Sequence, residues 1–409
     1  MGASDLSVRG KIPYNAEPSS LAELTSHPIT PLRLVYARNH CTSLPGFGSQ
    51  LHASCAADIK DLRSDTDQYT VKIDGDIDGI QPLELTFAQV RDGLPRKEVI
   101  AVLICAGNRR AKMAEKTGKA VQGINWSEGT IANVRWVGAP LRDILLRVGV
   151  TDDSASWEGL HVCLASNVAP CEDTTWYGGS IPLERAMNEN ADVLLAYEMN
   201  GEPLTPDHGF PLRVVVPGCG GMRWVKWVDH ISISREESPN FYQQRDYRIL
   251  PENVTSKKMA ESEGWWSTVP SIQNLPCNSV VSDFKRVRSE FPDQLLFKAC
   301  GYAYSDCPIK HVDVSLDDGT TWKQCEITYQ DGQWSWALWE VTIDLMLDEE
   351  NSSDMLLASN LGGAGGREKR KVTVFSRATD SAGRVQPFTC TWNLRGVGYD
   401  GAGEATIDH

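Results

Sequence analysis

From about residue 268 the chain is written in period two. In KHVDVSLDDGTTWKQCEITY, Val312, Val314 and Leu316 alternate with polar residues, the run turns at Asp318-Gly319, and a further strand follows. WSWALWEVTIDL and KVTVFSRATDSAGR continue the pattern. A strand that alternates in this way must bury one of its faces. Several short ones within roughly 120 residues fit a β-sandwich of immunoglobulin type. The tryptophans of WSWALWEV are candidates for its core, and equally for an apolar face between two copies of the chain. The polar, Gly-rich stretch 349–370 reads as a flexible loop within the sandwich. Its GGAGG lacks the Lys-Ser/Thr and the helix that a phosphate-binding loop requires.

The first two thirds of the chain give mixed signals. Residues 1 to about 30 are polar and Pro-containing, and are expected to wrap the surface. EVIAVLIC (98–105) and PLRVVVPG (211–218) are apolar, β-rich runs closed by turn residues. PLRDILLRVGV (140–150) puts Leu141, Ile144, Leu145 and Val148 on one helical face. DVLLAYEMNGEPL is a strand followed by the Asn200-Gly201 hairpin signal. Strands and helices interleave without a βαβ period, and no GxGxxG follows a strand, so a Rossmann domain does not fit. The sequence predicts an α+β chain: a mixed α/β domain over 1–267 and an immunoglobulin-like β-sandwich over 268–409.

Charge narrows the partners. The formal net charge is −14, whereas nucleic-acid binding needs a basic surface, so nucleic acid is not expected. The longest apolar runs fall far short of the roughly 20 residues a membrane helix requires. The amino terminus has no apolar signal core, and Leu6 fills the Ser/Thr slot of a myristoylation pattern. The carboxyl end is not of the Ser-Lys-Leu type. The default reading is a soluble intracellular protein, cytoplasmic in the first instance, with the peroxisome and the mitochondrial intermembrane space left open.

The 11 cysteines are odd in number and form no CxxC, so neither a disulfide framework nor a zinc site is signalled. Most read as small buried hydrophobes. Cys105 differs, because the run AVLICAGNRRAKM halts at this thiol, turns at Gly107 and presents Arg109 and Arg110. A strand end holds a thiolate rigidly, which suits a transition metal, and nearby guanidiniums suit an oxyanion. Other basic islands occur in an otherwise acidic chain: YARNH (36–40), DHGFPLRVVVPGCGGMRWVKW (207–227), QQRDYR (243–248) and WNLRG (392–396).

Taken in order, ICAGNRRAKM, DVLLAYEMNGEPL, DHGFPLRVVVPG, VKW, RDY and WNLRGV resemble the eukaryotic sulfite oxidase family of molybdenum-cofactor oxidoreductases, in its plant-type form without a haem domain. The resemblance runs from PYNAEP near residue 13 to the end of WNLRGV. It implies one molybdenum cofactor (Mo-molybdopterin) per chain, with Cys105 as the protein's thiolate ligand to the metal. It implies that Tyr36, Ala37, Arg38, Asn39, His40, His208, Arg213, Trp224, Val225 and Lys226 hold the pyranopterin and its phosphate. Arg38, Arg110, Trp126, Tyr247 and Arg395 would line a sulfite pocket. The implied reaction is oxygen-atom transfer converting sulfite to sulfate, with electrons passing to dioxygen or an external acceptor, in a homodimer paired through the sandwich.

Some positions depart from the family. Gln122 stands where the animal enzymes carry a lysine, and a cofactor-contacting Asp is left unassigned between Asn167 and Asp173. Residues 41–60, with Cys41 and Cys55, are additional. No His-Pro-Gly-Gly segment of cytochrome b5 type occurs, so neither haem nor FAD is expected. Two alternatives remain: a nitrate-reductase-like molybdenum module, in which Met tends to replace the residue at Arg395, and a non-catalytic cofactor-binding protein.

Overall fold

The computed structural model describes residues 5–11, 13–42, 66, 68–291, 294–345 and 371–408. The Gly-rich stretch 349–370 and most of 41–60, Cys55 included, lie outside them. The chain divides into two compact units. One comprises Met1–Ser20, Ile29–Leu275 and Thr391–Tyr399; the other comprises Leu21–Pro28, Pro276–Cys390 and Asp400–His409. WNLRG therefore belongs with the first unit, although it follows the sandwich strands in sequence.

The first unit holds three sheets. Its five-stranded antiparallel sheet is built on Leu194–Met199, flanked by Ile131–Pro140 and by Glu202–Pro203, with Arg213–Val215 also paired to it. Lys97–Ile104 pairs with Ile131–Pro140 in continuous register. Val99 and Ala101 through Ile104 are all buried, which is why this stretch reads as an unbroken apolar run. Asn200 (φ 54°) and Gly201 (φ 82°) close the expected hairpin. The helix Leu141–Arg147 buries Leu141, Ile144 and Leu145 as its spacing requires. In a second five-stranded sheet, Thr70–Gly75 and His230–Ser234 run parallel. The amino-terminal residues do more than wrap the surface. Leu6–Lys11 and Tyr14–Pro18 form a hairpin whose inner strand pairs with Ala37–Arg38.

The second unit is a sandwich of two four-stranded antiparallel sheets. Its core draws Phe284, Phe297, Ala299 and Trp339 from one sheet and Val312, Val314, Val374 and Ala378 from the other. Asp318 (φ 53°) and Gly319 (φ 83°) make the expected turn. Trp339 belongs to this core, while Trp336 is buried and stacks on Tyr302, so neither is exposed in the chain. No helix among the described residues is long and apolar enough to cross a membrane.

Candidate active site

The apolar strand Lys97–Ile104 delivers Cys105 at its end. The Cys105 N–H still donates to Thr130 O (3.0 Å), and Sγ accepts from the Gly107 N–H (3.4 Å) as the chain turns. The thiol therefore cannot drift. Tyr36, Arg38, His40, Cys105, His208, Arg213, Trp224, Lys226 and Tyr247 line one cavity. Three sequence segments, 36–40, 207–227 and 243–248, are thus gathered around a single thiol.

Cations dominate this cavity. Arg213 is buried and donates to His208 O (3.1 Å) and Trp224 O (3.3 Å), with its guanidinium 4.9 Å from the Trp136 ring centre. Its Nε has no partner. Lys226 Nζ donates to Arg38 O (3.0 Å), to Asp207 O (2.8 Å) and to Asn39 Oδ1. Gly209 (φ 105°) lets these two cations meet, since a Cβ there would lie 3.0 Å from Arg213 Cβ and 3.1 Å from Lys226 Cβ. Burial costs the charged forms: Arg213 is lowered to about 10, and Lys226 to about 7, with Arg213 adding repulsion. His208 is lowered to about 3 by burial and then by both cations. Its Nε2 faces Tyr36 O (3.2 Å), so the neutral ring carries its proton there.

A second chain of contacts leads from Arg38 to Tyr247. Arg38 Nη2 lies 3.1 Å from His40 Nδ1, and His40 Nε2 lies 2.8 Å from Tyr247 Oη. Burial first, and then Arg38, holds His40 well below its usual range, so the ring is neutral. Arginine can only donate, so Nδ1 is the acceptor and Nε2–H donates to the phenol oxygen. The Tyr247 O–H is then left to donate elsewhere. Burial raises its pKa, which keeps that proton in place. Tyr247 is supplied by the π-helical turn Tyr242–Asp246, whose last residue pairs with Arg395 (Nη2 to Asp246 Oδ2, 2.8 Å).

The remaining expected residues do not line the cavity. Ala37 and Val225 are buried and contribute backbone pairing, to Ala16 and Val214 respectively. Asn39 acts from behind, its amide donating to Asp207 Oδ1 and Tyr14 O (both 2.9 Å). Trp126 is wholly buried, with Nε1 unpartnered. Arg110 is caged by carbonyls, donating to Arg395 O (3.0 Å), Gly396 O (3.2 Å) and Ile124 O (2.7 Å). Burial lowers it to about 10, while Cys105 favours its charge. Arg395 keeps an unpartnered Nε. Arg109, its neighbour's equal in sequence, is structural: it pairs with Glu128 and stacks 4.1 Å from the Tyr399 ring centre.

Sequence reasoning missed several contributors. Asp207 and Asp246 sit inside quoted motifs but carry no local sign that they hold Lys226 and Arg395. Tyr177 lines the cavity and stacks on Tyr242 (4.9 Å between ring centres). Gly107 and Gly123 make room for Arg110, because a Cβ on either would come within 2.7 Å of its guanidinium nitrogens. Of the unassigned positions, Asn167 bonds Asp229 and Asp173 bonds Tyr242. Gln122 keeps a buried, unpartnered Oε1.

These residues fit a molybdenum cofactor. Buried cations without a matching anion are costly, and the depressed Arg213 and Lys226, with Nε of Arg213 unpartnered, fit the phosphate of a pterin cofactor. The fixed thiol of Cys105 is the soft donor that molybdenum requires.

Comparison with known proteins agrees with this chemistry. Residues 57–242 match the oxidoreductase molybdopterin binding domain, and 269–360 the Mo-co oxidoreductase dimerisation domain. A sulfite oxidase of Arabidopsis thaliana is 36% identical over 96% of this chain and 91% of its own length. A sulfite oxidase of Gallus gallus is 35% identical over 96% of this chain and 75% of its own. A nitrate reductase [NADH] of Hordeum vulgare is 36% identical over 95% of this chain but 39% of its own. The sulfane dehydrogenase SoxCD of Paracoccus pantotrophus shares the fold, with a TM-score of 0.68 at 22% identity over 97% of this chain and 85% of that one.

Proposed function

The chain belongs to the sulfite oxidase family of molybdenum-cofactor oxidoreductases, and we propose that it oxidises sulfite to sulfate. One observation carries this reading: Arg38, Arg213 and Lys226, drawn from two separate segments, line the cavity that also holds Cys105 and Tyr247. Cations that converge inside an acidic protein select a small oxyanion.

When bound, the molybdenum centre supplies oxygen-atom transfer and accepts the two electrons released as sulfite becomes sulfate. Cys105, fixed by its strand, ligates the metal. Arg213 and Lys226 hold the cofactor phosphate, with Tyr36, His208 and Trp224 enclosing it and Asn39 supporting Lys226. Arg38 binds and orients the anion at the cavity wall, and Arg110 and Arg395, which do not line the cavity, add positive charge nearby. Tyr247 donates its O–H to an anion oxygen, while His40 keeps its proton on Nε2 and fixes the phenol's direction. Two electrons and two protons leave per sulfite, with dioxygen or an external carrier as acceptor. The sandwich unit pairs two chains in a homodimer, as its match to a dimerisation domain supports.

Nitrate reductase is the second reading, favoured by the equal identity to the barley protein. Arg395 opposes it, because an additional cation serves the doubly charged anions of sulfite oxidation better than singly charged nitrate. The test is side-by-side kinetics: sulfite with ferricyanide or dioxygen, and nitrate with reduced methyl viologen. Sulfite turnover is expected, with hydrogen peroxide released one-for-one if dioxygen is the acceptor. Nitrate reduction faster than sulfite oxidation would overturn the assignment.

A further inference from the structure

Cys41 and Cys171 are far apart in sequence, yet their sulfurs lie 3.4 Å apart. They meet as an isolated antiparallel bridge. Thr42 N–H donates to Pro170 O (3.0 Å) and Glu172 N–H donates to His40 O (3.1 Å), so the backbone bonds flank the pair instead of joining it. That is the non-hydrogen-bonded position of an antiparallel ladder, where Cα atoms are about 4.5 Å apart and side chains approach most closely. A disulfide accepts Cα separations of about 4.4–6.8 Å and needs sulfurs at about 2.05 Å. Side-chain rotation can therefore supply what remains, with the backbone left in place.

We propose that Cys41 and Cys171 are a site of reversible oxidation, closed to a disulfide by hydrogen peroxide and reopened by thiols. Both thiols are buried, and Cys41 lines the cavity described above, which gives the oxidant its route to Cys41. The Cys41 thiolate attacks one peroxide oxygen, the O–O bond breaks, and hydroxide leaves to become water. The Cys171 sulfur then displaces hydroxide from the Cys41 sulfenic acid, and its own proton completes a second water. Two thiols are oxidised and one peroxide is reduced to two waters. Burial works against the thiolate at both sulfurs, and the Lys226 charge favours the thiolate of Cys41. The link joins the segment carrying Arg38 and His40 to the loop carrying Glu172, which faces Arg38 at 3.8 Å. It does not depend on what the cavity turns over.

The test uses the full chain as purified. It is exposed to a small excess of hydrogen peroxide, its free thiols are blocked with N-ethylmaleimide, and it is digested without reductant for mass spectrometry. The expected result is loss of two hydrogen masses from the intact protein, reversed by dithiothreitol, with fragment spectra locating the bond between Cys41 and Cys171. Cys41→Ser and Cys171→Ser should each abolish it, and Cys55→Ser and Cys163→Ser should leave it. No mass loss, a bond mapped to Cys55 or Cys163, or over-oxidised Cys41 beside a Cys171 that still reacts with maleimide would overturn the proposal. Mapping in the unaltered protein decides the matter even if a serine variant fails to fold.

Discussion

Tyr247→Phe removes a single oxygen atom and keeps the ring. In the structure that oxygen accepts from His40 Nε2 at 2.8 Å in a buried setting. Its loss strands the His40 donor, which costs about 1–3 kcal/mol of stability. The bound anion also loses a phenolic donor. A hydrogen bond to a charged group contributes about 1.5–3 kcal/mol, and each 1.36 kcal/mol is tenfold in rate, so kcat/KM for sulfite should fall by roughly 10- to 150-fold. Ferricyanide-coupled turnover, normalised to molybdenum content, measures it. If the donor acts mainly on developing charge, the loss appears in kcat; if it acts equally on bound substrate, the loss appears in KM. A kcat/KM within twofold of the parent at equal metal content would refute the assigned direction of the Tyr247 proton.

Three further outcomes follow from the same geometry. Arg395→Met should raise the sulfite KM more than it lowers kcat, and pairing it with Asp246→Asn should recover part of the loss. In the single variant the Asp246 carboxylate, already raised by burial and eased most by Arg395, loses its ion-pair partner. The cofactor-free protein should bind sulfate with constant affinity below pH 7 and lose up to about tenfold per pH unit above it. Lys226, lowered to about 7, gives up its proton there, and the bound anion favours the protonated form. Titration calorimetry across pH checks this, and Lys226→Met should flatten the profile. In the sandwich, Phe297→Ala should cost about 3–5 kcal/mol, because the ring is buried in the core of both sheets; denaturant unfolding measures it.

Local patterns reveal what is local. The apolar run ending at Cys105, the Asn200-Gly201 and Asp318-Gly319 turns, and the period-two strands are all written within a dozen residues, and each forms as its pattern requires. The strand Leu6–Lys11 is less legible, since its alternation is weak and its formation depends on pairing with Tyr14–Pro18. Nothing in WNLRG says that it leaves the sandwich for the first unit, where Arg395 meets Asp246. Long-range pairs of this kind carry no local period. Trp336 and Trp339 show the same limit, because a strand tryptophan reads alike whether it faces a core or a partner. The role of His40 emerges only from geometry, since the proton positions depend on which donor reaches which ring nitrogen.

The most direct measurement is molybdenum content together with X-ray absorption at the molybdenum edge, made on the parent and on Cys105→Ser. Metal near one per chain is expected, with one sulfur neighbour lost in the serine variant and sulfite turnover falling by orders of magnitude. A metal-free protein, or a sulfur shell unchanged by the substitution, would contradict the placement of the metal on Cys105.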